Sequence, residues 1–153
     1  IASQRTVLVH KGVLDNFLYS IHTANKDKRH STGNGQRSSW SLPDVGPTNL
    51  YIEPGKHSSE QLISKLEHGL LITKVMGMHT ADPISGDFSI GIAGRMIRSG
   101  LLAEPVRGGA IAGNLLELLH DIAEVGSDLR FLPYGGNIGC PTLLIKGLSV
   151  SGS

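Results

Sequence analysis

The stretch from Met76 to Arg130 limits the fold of this chain more than any other, because it alternates glycine-punctuated runs with polar turns. The run from Asp87 to Ile97, the Arg98-Ser99-Gly100 corner and the run opening at Leu101-Leu102 predict two strands joined by a tight glycine turn. From roughly Leu115 to Glu124, Leu115, Leu118, Leu119 and Ile122 recur at three- and four-residue spacing, a helical stripe suited to lie on a sheet. Asn114 is placed to cap that helix, Glu117 stands in the capping-box position and Gly126 offers a left-handed exit. The centre of the chain is thus expected to be a sheet carrying a helix. Its chemistry, if any, belongs in the polar turn MHTADPISGD at 78–87.

The 153 residues fit a single domain, 1–153, long enough to bury a core. No apolar run approaches the ~20 residues that span a bilayer, and no signal-peptide pattern opens the chain. No membrane association is therefore expected, and a cytoplasmic location is the simplest reading. The start at Ile1, straight into strand-like sequence, reads as a fragment or a processed piece. A formal net charge of +1 gives no general attraction to nucleic acid. Cys140 is the single cysteine, which excludes an internal disulfide and a self-contained multi-cysteine zinc site. Twenty glycines and 5% aromatics favour a β-rich fold over a helical bundle.

In chain order, TVLVH at 6–10, a Lys11-Gly12 turn and the run from Val13 to Ile21 predict an opening hairpin. Residues 25–47 lack periodicity and are crowded with Ser, Gly, Asn and charge, so a long polar loop is expected. Asn49 to Glu53 predicts a strand, and Ser58 with Gln61 predicts a capping box opening a helix to about His68, with Gly69 at its exit. Leu62, Ile63 and Leu66 would form its buried face. Leu70 to Met76 predicts a strand leading into the central stretch. Strands at Asp128 to Leu132 and Thr142 to Val150, separated by a turn through 133–136, close the chain.

Seven histidines invite a search for metal ligands, but no HExxH, HExxxH or helically spaced His pair is present. His79 stands apart because Thr80, Asp82 and Asp87 are close in sequence. The plainer reading there is structural, with Asp82-Pro83 initiating a turn and Ser85-Gly86-Asp87 tightening it. Cys140 has no base placed beside it by sequence, and neither Ser85 nor Ser89 lies in a GxSxG elbow. Residue chemistry alone predicts a binding or scaffolding domain.

Several segments carry a family resemblance: RTVLVHKGVL at 5–14, STGNGQR at 31–37, LLITKVMGMHTADPISGDFSIGIAG at 70–94, EPVRGGAIAGNLLELLHDIAEVGSDL at 104–129 and PTLLIKGLSVSG at 141–152. In this order they resemble the C-terminal domain of the TldD/PmbA family, often labelled "modulator of DNA gyrase", which includes the subunits of a zinc-dependent peptidase. The resemblance implies that the family's N-terminal half is absent here. It also implies two kinds of subunit. The catalytic kind carries HExxxH in that missing half and a zinc-binding cysteine in a glycine-rich CGK-type segment near the C-terminus. Here the corresponding region reads Tyr134-Gly135-Gly136-Asn137-Ile138-Gly139, without cysteine. SGDFS at 85–89 and IAGNLLELL at 111–119 look more like the non-catalytic PmbA/TldE kind.

The expectation is therefore an α+β domain with a large, mostly antiparallel sheet, open to curling into a barrel, and two helices packed on it. It would scaffold the subunit interface and substrate cleft of a TldD/PmbA-type peptidase. No residue of this chain is expected to be catalytic or to bind metal, and zinc would sit in the partner subunit. His79, Thr80, Asp82, Gly86, Asp87 and Ser89 are the substrate-cleft candidates. The resemblance implies a TldD-like catalytic subunit, or self-association, as partner, and unfolded peptides as substrate. It also makes the gyrase label indirect, through antitoxin turnover. The rival expectation is a catalytic zinc subunit whose HExxxH lies upstream, with His79 or Cys140 completing the site.

Overall fold

The computed structural model of the chain describes residues 1–133 and 137–152. The elements run β1 (Val9–His10), β2 (Val13–Leu14), α1 (Ile21–Lys26), β3 (Gly35–Gln36), β4 (Asp44–Val45) and β5 (Asn49–Tyr51). Then come α2 (Ser59–Ser64), β6 (His68–Met76), a 3-10 turn (Met78–Thr80), β7 (Asp87–Arg98), β8 (Leu101–Asn114) and α3 (Leu115–His120). The remainder is β9 (Ile122–Val125), β10 (Arg130–Pro133), β11 (Asn137–Cys140), β12 (Leu143–Ile145) and β13 (Ser149–Ser151). The fold is α+β and mostly antiparallel, with three short helices among the described residues where two were expected. Its largest sheet is open, in the order β13-β8-β7-β6, and no barrel closes among the described residues.

These elements form two compact units, Ile1–Ile52 with Arg130–Gly139, and Glu53–Leu129 with Cys140–Ser153. In the first, β1 and β2 pair through Lys11 and Gly12, both at positive φ. The hairpin is much shorter than expected. Ser20 and Thr23 make a reciprocal capping box that starts α1 at Ile21, so the side-chain cap wins over the strand-like run there. The 25–47 segment also contains structure: β3 pairs with β4, and buried Asn34 donates to the Gly46 carbonyl at 3.2 Å. A three-stranded sheet, β10-β11-β5, completes this unit, with β11 parallel to β5. The expected turn through 133–136 falls mostly on 134–136, outside the described residues.

The second unit is organised by the β7–β8 hairpin, whose Ser99 and Gly100 both take positive φ, the two-residue geometry that matches strand twist. Ile90 and Ile92 of β7 and Ile111 of β8 form the core, with Leu70, Ile72, Phe88 and Leu148 against it. Ile97 is buried out of phase with Ile90 and Ile92, on the other face of β7, where Gly69 of β6 stands opposite it. β6 approaches β7 so closely that a Cβ on Gly94 would lie 2.0 Å from the Leu71 carbonyl oxygen. Only glycine fits there.

Four expectations are corrected in this unit. The helix expected over 115–124 ends at His120, because Ile122–Val125 leave to pair with β12. Leu115 and Leu119 are consequently about half exposed, at 51% and 48%, instead of lying on a sheet. Gly126 is no helix exit: its amide donates to Thr142 O at 2.7 Å and its carbonyl accepts from Gly55 N at 2.8 Å. The helix opened by the Ser58–Gln61 box stops at Ser64, so Gly69 belongs to β6, while Leu62 is buried as expected. The strand expected over 142–150 is two strands, broken where Gly147 takes φ +86°.

Candidate functional site

The polar turn at 78–87 joins β6 to β7, and its shape follows from its own side chains. Gly77 leaves β6 at φ +83°, and the Met78–Thr80 turn follows. The Thr80 hydroxyl lies 2.8 Å from Gly77 O and 3.2 Å from Ser89 O. β6 ends opposite Gly91, so this hydroxyl partners a β7 carbonyl beyond the reach of the neighbouring strand. One carboxylate oxygen of Asp82 accepts from the Ile84 amide at 2.7 Å and the Ser85 amide at 3.2 Å, as a turn-initiating aspartate does. The Asp82 amide donates to Asp87 O, and its carbonyl accepts from Gly86 N, each at 2.9 Å. Gly86 has φ +81° with Asn114 and Leu115 about its open side, a conformation that any side chain would strain.

Asn114 fastens the turn to α3. Its Nδ2 donates to Ser85 O and to Asp87 Oδ1, both at 2.8 Å, while its Oδ1 accepts from Leu116 N at 2.9 Å. The Leu115 amide also donates to Gly86 O at 2.8 Å. The Asn114 bond to its carboxylate first, then the Ser85 hydroxyl, hold the Asp87 carboxyl below its ordinary range. The sequence placed Asn114 only as a helix cap. Its partners in the turn lie 27 and 29 residues away, and only the strand register, Asp87 opposite Asn114, brings them together. Counting outward from the Ser99–Gly100 turn sets Asp87 opposite Ala112, and the two bulges of β8 move its partner to Asn114.

The structure therefore brings Thr80, Asp82, Gly86, Asp87 and the Ser89 carbonyl into one bonded turn. His79 lies in the same turn with its imidazole exposed and hydrogen-bonded to nothing among the described residues. Cys140 stands elsewhere, where loss of solvent and then the Asp128 charge push its thiol above the ordinary value. Its Sγ–H donates to Pro141 O at 3.2 Å. The loss of solvent and the Asp128 charge both favour the protonated thiol over the thiolate that acts as nucleophile or metal ligand.

Beside the turn lies β6, paired with β7 on one side only. Its outer edge from His68 to Met76 meets no other strand among the described residues, and Val75 and Met76 are exposed there.

Comparison with known proteins places this geometry in a family. The model described as the PmbA/TldA metallopeptidase C-terminal domain matches residues 1–152. A protein of Methanocaldococcus jannaschii is 35% identical over 146 residues, covering 95% of this chain and 33% of its own length. The crystal structure of a protein described as a modulator of a DNA gyrase from Thermotoga maritima superposes with a TM-score of 0.88 at 34% identity, over 99% of this chain and 34% of that one. TldE from Thermococcus kodakarensis gives 0.87 at 27% identity, over 98% and 34%.

The chain belongs to the PmbA/TldD family, as its C-terminal domain. It spans about a third of the length of the curated relatives that it matches. Zinc, which the family implies, does not fit the described residues. Among the described residues no three His, Cys, Asp or Glu side chains are grouped to hold a metal ion. No helix among them is long and apolar enough to cross a membrane.

Proposed function

We propose that this chain is the scaffold and substrate-cleft domain of a TldD/PmbA-type peptidase complex, in the subunit that does not hold the zinc. The free edge of β6 running into the bonded turn at 78–87 carries the reading. An unfolded peptide docks by adding a strand to that edge, because backbone hydrogen bonds accept almost any sequence. Thr80, Asp82, Gly86, Asp87 and Ser89 shape the rim where the strand ends, and exposed His79 touches the peptide without taking part in the chemical step. Hydrolysis, and the zinc it needs, belong to a TldD-like partner subunit, and the chain pairs with that subunit or with a copy of itself.

The neighbour named TldE supports the choice of subunit, as does the lack of a ligand set among the described residues. The complex is cytoplasmic and binds neither nucleic acid nor membrane, in keeping with the net charge of +1. It matures peptides and turns over antitoxins.

Amide hydrogen exchange with a saturating unstructured peptide tests the docking. Outward amides of His68–Met76 should slow, while those of Leu101–Arg107 stay unchanged. Unaltered exchange along β6 with binding proved independently would overturn the reading.

A further inference from the structure

The unit that carries the candidate turn also bears an apolar surface that peptide docking on β6 does not use. Ile84 is 95% exposed and Leu116 72%, with Met78, Leu115 and Leu119 also exposed. The Asn114 clamp and the Leu115–Gly86 bond hold the two segments that carry them together, the turn fixed to the start of α3. The two segments, 78–87 and 114–121, carry Asp82, Asp87, Glu117 and Asp121 and not one Lys or Arg. In a chain of net charge +1, this is a local concentration of negative charge around an apolar centre.

The opposite combination stands in the other unit. The connection between β3 and β4 presents Trp40, 98% exposed, and Leu42, 87% exposed. Their turn is already stapled. The Ser38 and Ser41 hydroxyls are 2.8 Å apart, and the Ser38 amide donates to the Ser41 hydroxyl at 3.3 Å. A tryptophan held on a pre-formed turn is the usual anchor of a protein interface, since little ordering remains to be done on binding. In the sequence around it, residues 25–47 carry Lys26, Lys28, Arg29 and Arg37 against Asp27 and Asp44. The knob is basic and the patch acidic.

We infer that the Trp40 knob of one copy of this chain docks on the acidic apolar patch around Leu116 of a second copy. Trp40 and Leu42 cover Ile84, Leu115 and Leu116, and the basic residues of 25–47 face the four carboxylates. This rests on the assembly reading above only for the expectation of a second subunit, and it stands apart from peptide capture on β6. The contact is between two different surfaces, so each copy offers one knob and one patch.

The test uses Trp40→Ser and Leu116→Ser, both at largely exposed positions. Sedimentation velocity of the unaltered chain over a concentration series should show self-association that weakens as salt rises, because charge assists it. Each variant, folded by circular dichroism, should associate at least about tenfold more weakly, as removal of an interface anchor requires. Mixed together, the two should associate again, since one retains the patch and the other the knob. A chain that stays monomeric would overturn the inference, as would either variant associating like the parent, or a mixture no better than its components. None of these failures touches the exchange experiment on β6, so the two readings fall separately.

Discussion

The four-stranded sheet offers two unpaired edges, and they are built in opposite ways. β6 lies at one side and presents His68–Met76, interrupted by a single bulge between Ile72 and Lys74. On the other side β13 covers only Ala110–Ala112 of β8, leaving the run from Leu101 to Arg107 without a paired strand on that side among the described residues. That run is defended three times over. Pro105 has no amide to give, and the Ala103 carbonyl is already taken by two guanidinium bonds from Arg95, at 3.0 and 2.8 Å. Bulges opposite Arg95/Ile97 and Ile92/Ala93 bend the strand, the second with Gly108 at φ +75°. Such devices are how natural sheets stop strands from adding to an edge. The contrast teaches that β8 is closed against an incoming strand by construction, whereas β6 is left available beside the candidate turn.

The largest expected effect breaks the comparison by removing the open edge. Gly94→Val would place a side chain where a Cβ already lies 2.0 Å from the Leu71 carbonyl oxygen and 2.9 Å from its carbon. Backbone cannot yield as a flexible side chain can, so β6 must separate from β7. A loss of about 3 kcal/mol or more follows, in the range of severe overpacking. Thermal unfolding and the loss of slow exchange along β6 measure it. A variant with parental stability would show that the two strands are not so closely paired.

A middle-sized effect sharpens the role of the turn. Gly86→Val should cost about 1–3 kcal/mol, the strain of forcing a branched residue to φ +81°. His79→Ala, by contrast, should leave stability unchanged, because the imidazole is exposed and bonded to nothing among the described residues. In the assembled complex it should weaken peptide engagement at most. If His79→Ala abolishes cleavage while partner binding and thermal stability are kept, the turn is catalytic and the scaffold reading fails.

The same contrast marks how far the sequence could be read. Local signals came through: the Ser58–Gln61 box, the Ser99–Gly100 turn, the buried Leu62 and the turn made by Asp82 all depend on residues within a few positions of each other. What escaped depends on distant partners. Ile122 fits a helical stripe with Leu115, Leu118 and Leu119, yet pairing with Ile145 draws it into β9. Asn114 reads as a cap from its neighbours and becomes a clamp only when the hairpin register sets it opposite Asp87. The openness of β6 was equally hidden, since nothing within a strand says whether a neighbour lies beyond it.

The smallest expected effect lies on the defended edge. Arg98 of β7 bonds the Glu104 carboxylate with both Nε and Nη2, across the bulge that interrupts β8. The hydrogen bond from Arg98 comes first among the causes that bring the Glu104 carboxyl down to about 2 from an ordinary value of 4.5. Between those two pH values the unfolded chain binds a proton at this position that the folded chain does not, so stability falls as the solution is acidified. The contribution is complete above pH 4.5 and is lost as pH falls through about 2. Both side chains are more than half exposed, so solvent screens the pair and its weight is small. Glu104→Gln cannot ionise, and the variant should lack this part of the acid limb. Unfolding temperatures of variant and parent should differ slightly at neutral pH and converge below pH 4.5. Curves that stay parallel through the acid range would show that the carboxylate is not held by Arg98. The bulge would then be fixed by backbone and by the Arg95 bonds to Ala103 alone.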